Sequence, residues 1–162
     1  MSALLTSDSV RRVQAALAAH GLADRIMELS ETARTAEDAA RACDVPVGAI
    51  VKSLVFELDG EPVLALVAGD RRCDPQALPA ALGRSGAVRR CDANKVRAAT
   101  GFAIGGVAPL GHLTPLPTAI DASLGRFARL FAAAGHPHCV FATDLAELVR
   151  LTGGTVAEIG HD

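Results

Sequence analysis

Two apolar runs joined by a tight-turn dipeptide form the clearest pattern along this chain. Residues 50–58 and 62–68 are rich in valine and leucine, and Asp59-Gly60 lies between them. Asp and Gly both tolerate the positive φ angles that a two-residue hairpin turn requires. The pattern therefore predicts a buried β-hairpin.

Helical spacing and capping residues predict further elements on both sides of the hairpin. Val10, Val13 and Leu17 recur at the period of a helix that ends at His20-Gly21. Polar residues that commonly cap helices precede other segments. The predicted caps are Ser7, Thr35, Asp74, Asp92 and Thr143, the last one opening a helix over residues 144–151.

Short β-rich segments predict the remaining strands. They cover residues 25–29, 87–90, 118–121, 130–134, 139–142 and 155–159, the last as an edge strand, and one helical turn is predicted at residues 47–50. Because hairpins outnumber helix crossovers, we expect an α+β fold. It would be one domain over residues 1–162, with a mixed, mostly antiparallel, curved sheet flanked by helices.

Residues 101–117 differ from the rest of the chain in their content of glycine and proline. Four glycines and three prolines in this segment exclude a long helix and predict an ordered loop with unusual backbone angles. Within it, Gly105-Gly-Val-Ala-Pro109 is either a structural turn or a nest of backbone N–H groups that binds an anion. It matches neither a Walker loop nor a dinucleotide-binding fingerprint.

Composition limits the kinds of partner. The net charge is -2 and the pI is about 6.2, which does not fit a protein that grips long stretches of DNA or RNA. Five Phe and no Trp or Tyr leave little material for stacking bases. We therefore expect no DNA partner, and any RNA to be held by a few contacts or by its end.

The cysteines and the apolar segments point to a reducing, cytoplasmic setting. Cys43, Cys73, Cys91 and Cys139 are far apart and form no CxxC pair, which argues against a disulfide framework and a four-Cys zinc site. The N-terminus lacks a signal-peptide pattern, and no apolar run is long enough to span a membrane.

Three kinds of side chain are candidates for chemistry. Lys52, one of two lysines, interrupts an apolar strand, so it either faces solvent or supplies a positive charge to a phosphate or carboxylate. His112, His136 and His138 cluster late in the chain. A metal site built from them is conceivable, but the absence of a well-spaced carboxylate favours a pocket or loop role and no metal.

The order of these motifs resembles the YbaK / prolyl-tRNA-synthetase-associated domain family. The resemblance rests on Val51-Lys-Ser-Leu54, Ala68-Gly-Asp70, the run from Thr100 to His112 and a glycine turn before Asp144-Leu145. It extends from about residue 7 to residue 159. Residues 133–138 read Ala-Ala-Gly-His-Pro-His, without the Ser or Asp of some members, which leaves the substrate amino acid open.

The resemblance implies a trans-editing deacylase that removes alanine, cysteine or another small amino acid from mischarged tRNA for proline. It implies that Lys52 holds the terminal nucleotide and that Gly105 is the family glycine. The substrate would be the aminoacyl-tRNA acceptor end, with prolyl-tRNA synthetase as a possible partner and no cofactor. The predicted substrate-binding residues are Lys52, Gly69, Asp70, Pro109, His112 and His136.

An aminoacyl ester is already activated, so the enzyme needs no strong nucleophile. Backbone N–H groups of Gly105, Gly106 or Val107 would stabilise the oxyanion. Two alternatives remain: an inactive module that binds the tRNA end or regulates a synthetase, and a metal-dependent hydrolase that uses the late histidines.

Overall fold

A mixed β-sheet with helices on both faces forms the centre of the fold. The computed structural model describes residues 7–30 and 33–162. The helices are α1 Asp8–Ala18, α2 Ala36–Cys43, α3 Leu78–Ala81, α4 Ala93–Thr100 and α5 Leu145–Thr152. The strands are β1 Ile26–Glu28, β2 Ile50–Leu58, β3 Glu61–Ala68, β4 Arg72–Cys73, β5 Val88–Arg90, β6 Thr118–Asp121, β7 Leu130–His136, β8 Cys139–Thr143, β9 Thr155–Ala157 and β10 Gly160–His161.

The predicted fold class is confirmed by the strand pairing. The main sheet runs in the order β1-β8-β7-β2-β3-β6-β9, and β5 also pairs with β2. The pairs β1–β8, β7–β8, β2–β3 and β2–β5 are antiparallel, whereas β2–β7, β3–β6 and β6–β9 are parallel. The short β4 and β10 pair antiparallel with each other. β9 lies at the edge, as predicted.

The hairpin prediction holds in detail. β2 and β3 pair from Val51↔Ala68 to Leu58↔Glu61. Asp59 and Gly60 have φ angles of 50° and 82°, which are the two positive values of a turn whose twist matches the flanking strands. The hairpin lies at the centre of the sheet, and apolar side chains cover both of its faces.

Alternating residues of β2 and β3 face two different apolar layers. On one face, Val55 and Leu66 pack with Val13 of α1 and Phe102 of the 101–117 loop. On the other face, a second cluster contains Phe56, Leu58, Val63, Leu78 and Ile159. Burying such side chains contributes roughly 1.5–3 kcal/mol each.

Most predicted helix caps are confirmed, and one is wrong. Ser7, Thr35 and Asp92 each accept a hydrogen bond from a backbone N–H in the first helical turn. Asp74 caps a 3-10 turn, Pro75–Ala77, that leads into α3. A second such turn, Val47–Ala49, matches the turn predicted before β2. α4 ends at Gly101, as predicted.

The cap of α5 is Asp144 rather than Thr143. The Asp144 carboxylate accepts from the Glu147 N–H at 2.8 Å. The Thr143 hydroxyl instead donates to the buried Glu147 carboxylate at 2.7 Å, where Arg25 also binds. A charged acceptor suits the positive end of the helix, which explains why Asp144 takes the capping position.

Among the described residues, no helix is long and apolar enough to cross a membrane.

We expect Asp144→Ala to lower the free energy of unfolding by about 1 kcal/mol, because it removes the cap of α5. Chemical denaturation would measure the change. Asp8→Ala is the matched control, since Asp8 is an exposed acidic residue in the first turn of α1 but not its cap. An equal loss in both variants would contradict the capping assignment.

Candidate functional site

The candidate site lies where β2 lacks a strand partner on one edge. β2 is paired with β3 along most of its length, but β7 pairs with it only at Ile50 and Val51. β5 pairs with it only from Phe56 to Leu58. The edge between these two contacts, residues 52–54, borders the 101–117 loop and solvent.

A cavity of about 320 Å³ opens at this edge. Its wall brings together residues from β2, the loop, β7 and the start of α2, including Lys52, Ser53, Gly105, Val107, Phe131 and His136. A second cavity of about 360 Å³ shares Ser53, Leu54, Ile104, Gly105 and Val107 with the first. Four of the sequence-predicted site residues, Lys52, Gly105, Val107 and His136, therefore line one cavity.

Of the two interpretations of Lys52, the one in which its side chain faces solvent is wrong. It is half-buried and lies on the same face of β2 as Leu54 and Phe56. Its ammonium group donates to the backbone carbonyl of Arg71. That carbonyl fixes the ammonium group, and Lys52 is also part of the cavity wall.

The loop that carries the glycine turn is clamped by Arg12 of α1. The Arg12 guanidinium donates to the carbonyl oxygens of Gly101, at 2.7 Å, and Gly111, at 3.4 Å. It also lies 4.8 Å from the centre of the Phe102 ring. Because one side chain binds both ends of the turn, it ties the loop to α1 despite the glycines of the loop.

The backbone N–H groups of the glycine turn are not equivalent. The Gly106 N–H donates to the Ala103 carbonyl at 3.0 Å, so it is not free to bind an oxyanion. Within residues 7–30 and 33–162, the N–H groups of Gly105 and Val107 have no such partner. Of the three N–H groups predicted to stabilise an oxyanion, only those of Gly105 and Val107 therefore remain candidates.

Gly106 has a packing role instead. A Cβ at this position would lie 3.3 Å from the Cα of His136, so the loop approaches the end of β7 closely. Gly105 has a φ of 94° and open space where a Cβ would lie. The first glycine supports the backbone angle, and the second supports the contact with β7.

His136 is held as a neutral imidazole with a defined tautomer. Its Nδ1 accepts a hydrogen bond from the His138 N–H at 3.0 Å, so the ring proton resides on Nε2. Burial, and then the charge of neighbouring His138, lower the pKa of His136. The ring therefore offers an N–H donor to a ligand at neutral pH.

Four other predicted binding residues lie outside this cavity lining. His112 donates from Nε2 to the Ala108 carbonyl at 2.7 Å and packs edge-on against Phe102. Pro109 is buried in the same loop. Asp70 forms a bidentate ion pair with Arg126, which holds the pKa of the Asp70 carboxyl below its usual range.

Gly69 is required by packing. A Cβ there would collide with the Val47 carbonyl oxygen. Its N–H donates to the Ile50 carbonyl, which extends the pairing of β2 with β3 by one residue.

Metal ligands and nucleophilic side chains are the other groups that could carry chemistry at this site. In the described part of the chain, no three His, Cys, Asp or Glu side chains converge as a metal site would require. His112 lies under the loop and does not join the adjacent His136 and His138 rings, whose centres are 5.4 Å apart. Cys139 lines the cavity, but burial raises the pKa of its thiol, which therefore stays protonated.

Sequence patterns missed several residues of the site. Arg12 gives no local signal, because its partners lie 89 and 99 residues away. The sequence pattern around Phe131 and Ala133 indicates only a buried strand. Ser53 had a detectable signal, since it is a second polar residue directly after Lys52 in an apolar strand.

Comparisons with known proteins point to one family. The profile of the family described as "Aminoacyl-tRNA editing domain" matches residues 30–151. A solved structure described as a candidate trans-editing enzyme for prolyl tRNA synthetase superposes with a TM-score of 0.88. It is 42% identical in sequence, and the match covers 96% of this chain and 99% of that one.

Two curated relatives add to this. A candidate Cys-tRNA(Pro)/Cys-tRNA(Cys) deacylase of Enterococcus faecalis, EbsC, is 28% identical over 80% of this chain and 79% of that protein. A proline–tRNA ligase of Oleidesulfovibrio alaskensis is 36% identical over 48% of this chain. The match spans only 13% of that ligase, so it concerns one part of a much larger enzyme.

We expect His112 to make the protein less stable at acidic pH. Burial is the main cause that lowers its pKa in the folded state, so below about pH 6.5 the unfolded chain binds a proton that the folded chain resists. The free energy of unfolding should therefore fall as pH drops from about 6.5 towards the folded-state pKa. His112→Gln keeps a donor for Ala108 and should weaken this dependence.

Urea denaturation of both proteins between about pH 5 and pH 8 would measure the effect. His20→Gln is the matched control, because His20 is exposed. The same pH dependence in wild type and His112→Gln would refute the assignment.

Proposed function

The chain belongs to the aminoacyl-tRNA editing domain family, and from that membership we propose that it is a trans-editing deacylase that hydrolyses mischarged aminoacyl-tRNA. The observation that carries the proposal is the cavity at the open edge of β2. It joins a cation, Lys52, to the backbone N–H groups of Gly105 and Val107, which have no partner in the described part of the chain.

The two backbone donors suit the chemical step. Attack of water on the ester carbonyl places negative charge on its oxygen in the tetrahedral intermediate. N–H groups fixed by the fold stabilise that charge without reorganising, and losing one such donor costs about 2.7–4 kcal/mol in other hydrolases. The Arg12 clamp keeps Gly105 and Val107 in place, so no side-chain nucleophile is needed for an ester that is already activated.

Lys52 suits the binding of the tRNA end. A lysine ammonium is a compact charge that pairs with phosphate, and the Arg71 carbonyl holds it at the cavity wall. Arg34 lines the same cavity and adds a second positive charge. A few such contacts are enough for the acceptor end, which agrees with a net charge of only -2.

The remaining wall suits a small amino acid. Leu54, Phe131 and Ala133 are apolar, and His136 adds one neutral N–H donor. The printed descriptions of the relatives name prolyl tRNA synthetase and Cys-tRNA(Pro). We therefore propose tRNA for proline that carries alanine, cysteine or a similar residue as the substrate. Prolyl-tRNA synthetase would deliver it in the cytoplasm.

We expect Lys52→Ala to lower kcat/KM for deacylation about 100-fold, because it removes a charge-assisted contact with the tRNA end. The assay would use tRNA for proline charged with alanine, cysteine, serine or proline. Lys95→Ala is the matched control, since Lys95 is the other lysine and pairs with Glu57 away from this cavity. Full activity of Lys52→Ala on every mischarged tRNA would show that the site is misassigned.

We expect Gly105→Val to abolish deacylation. Gly105 lines the cavity, and valine at its φ of 94° is strained and would shift the neighbouring N–H donors. Gly153→Val is the matched control, because Gly153 also has a positive φ and open space around it but lies at the end of α5. Wild-type rates in Gly105→Val would remove the turn from the mechanism.

A further inference from the structure

Ser53 directs its backbone polar groups away from β3 and towards the open edge. In an antiparallel pair, alternate residues bond to the partner strand and the residues between them point the opposite way. The Ile50 carbonyl accepts from Gly69 on the β3 side, whereas the Val55 carbonyl accepts from Cys91 on the other side. Ser53 lies two residues before Val55 on the same strand. Its N–H and carbonyl therefore point to the same side as the Val55 carbonyl, towards the edge of β2 where the cavity opens.

The Ser53 side chain is also unengaged. Its hydroxyl oxygen is buried and has no hydrogen-bond partner in residues 7–30 and 33–162. A buried hydroxyl without a partner costs stability, and a ligand in the adjoining cavity would supply the missing hydrogen bond. Ser53 lines both cavities, next to Gly105 and Val107.

The polarity of the cavity indicates what this serine binds. Its wall carries the cationic Lys52 and Arg34 and contains no carboxylate among the described residues. The α-ammonium group of an aminoacyl ester needs acceptors, which must then be neutral oxygens. Of the two hydroxyl side chains in the wall, Thr35 already accepts from the Asp38 N–H, which leaves Ser53 unpaired.

The position of the ammonium group fits this assignment. In an α-amino ester, the nitrogen is attached to the carbon next to the reacting carbonyl. Acceptors for it must therefore lie beside the donors for the oxyanion, and Ser53 shares a wall with Gly105 and Val107. The Lys52 and Ser53 side chains leave β2 on opposite faces. The Lys52 ammonium and the α-ammonium group of the substrate therefore occupy different places.

We propose that Ser53 binds the α-ammonium group of the aminoacyl ester through its hydroxyl and backbone carbonyl oxygens. The assignment rests on the proposed deacylase function and adds a specificity determinant to it. The site then selects esters of α-amino acids over acyl esters that lack the amine, independently of side-chain size.

The test compares alanyl-tRNA with propionyl-tRNA, both on tRNA for proline, because the propionyl group has the same carbon skeleton without the amine. Ser53→Ala should lower kcat/KM for the alanyl ester about 10-fold or more, the loss of one hydrogen bond to a charged group. It should change kcat/KM for the propionyl ester less than about twofold. Wild type should itself favour the alanyl ester.

Ser53→Cys is a second variant in case Ser53→Ala folds poorly. Its side chain has nearly the same volume, but its sulfur is a poor hydrogen-bond acceptor, so we expect the same selective loss on the alanyl ester. Ser85→Ala is the control, since Ser85 is exposed and lies outside both cavities. The thermal unfolding midpoint of Ser53→Ala should equal or exceed that of wild type, because no internal hydrogen bond is lost.

Equal losses on the two esters, or a lowered unfolding midpoint in both Ser53 variants, would overturn the assignment and leave Ser53 as a structural residue. An active wild type with either result would still support the deacylase function. A wild type that hydrolyses no mischarged tRNA would instead overturn the proposed function, and the Ser53 assignment with it.

Discussion

The pairing of β2 is continuous on one edge and interrupted on the other, and the candidate site depends on that difference. The β3 edge is hydrogen-bonded along nearly the whole hairpin, so the position of β2 is fixed in the middle of the sheet. On the opposite edge, β7 leaves after Val51 and β5 arrives only at Phe56. A rigid strand with a short unpaired edge places backbone groups beside a cavity without making the fold flexible.

The 101–117 loop fills this interruption only in part. Its glycines allow the close approach of Gly106 to His136 and the positive φ of Gly105. Arg12 then removes the freedom that glycines would otherwise confer, by binding the Gly101 and Gly111 carbonyls from α1. At the turn itself, the N–H groups of Gly105 and Val107 have no backbone partner among the described residues, whereas the Gly106 N–H donates to Ala103. Ordered but incompletely bonded backbone is what electrostatic stabilisation of an oxyanion requires.

Under the proposed function, the charges around the cavity would hold an ester with an anionic tail and a cationic amine in one orientation. Lys52 is part of the cavity wall, and its ammonium group donates to the Arg71 carbonyl. His136 stays neutral because its Nδ1 accepts a hydrogen bond and burial disfavours protonation. The Cys139 thiol in the wall of the first cavity is protonated. The proposed chemistry therefore relies on fixed dipoles and on the substrate's own reactivity, with no side chain that must change its charge.

Local signals determined much of the fold from the sequence alone. Asp59-Gly60 set the hairpin, the caps at Ser7, Thr35 and Asp92 set the starts of three helices, and the glycines and prolines set the ordered loop. These features are encoded within a few residues, so a pattern can reveal them. Thr143 was mistaken for a cap because Thr and Asp are both good caps, and only the contact with Glu147 and Arg25 separates their roles.

The site itself was decided by tertiary structure. The sequence singled out Lys52, Gly105, Val107 and His136, yet it could not show that they line one cavity, because they come from three separate segments of the chain. Nor could it show that His112 and Asp70 are bonded elsewhere, or that Gly106 has lost its free N–H. Which backbone groups of β2 remain unpaired depends on where β5 and β7 meet it. That is a matter of strand register over long separations, which no local pattern contains.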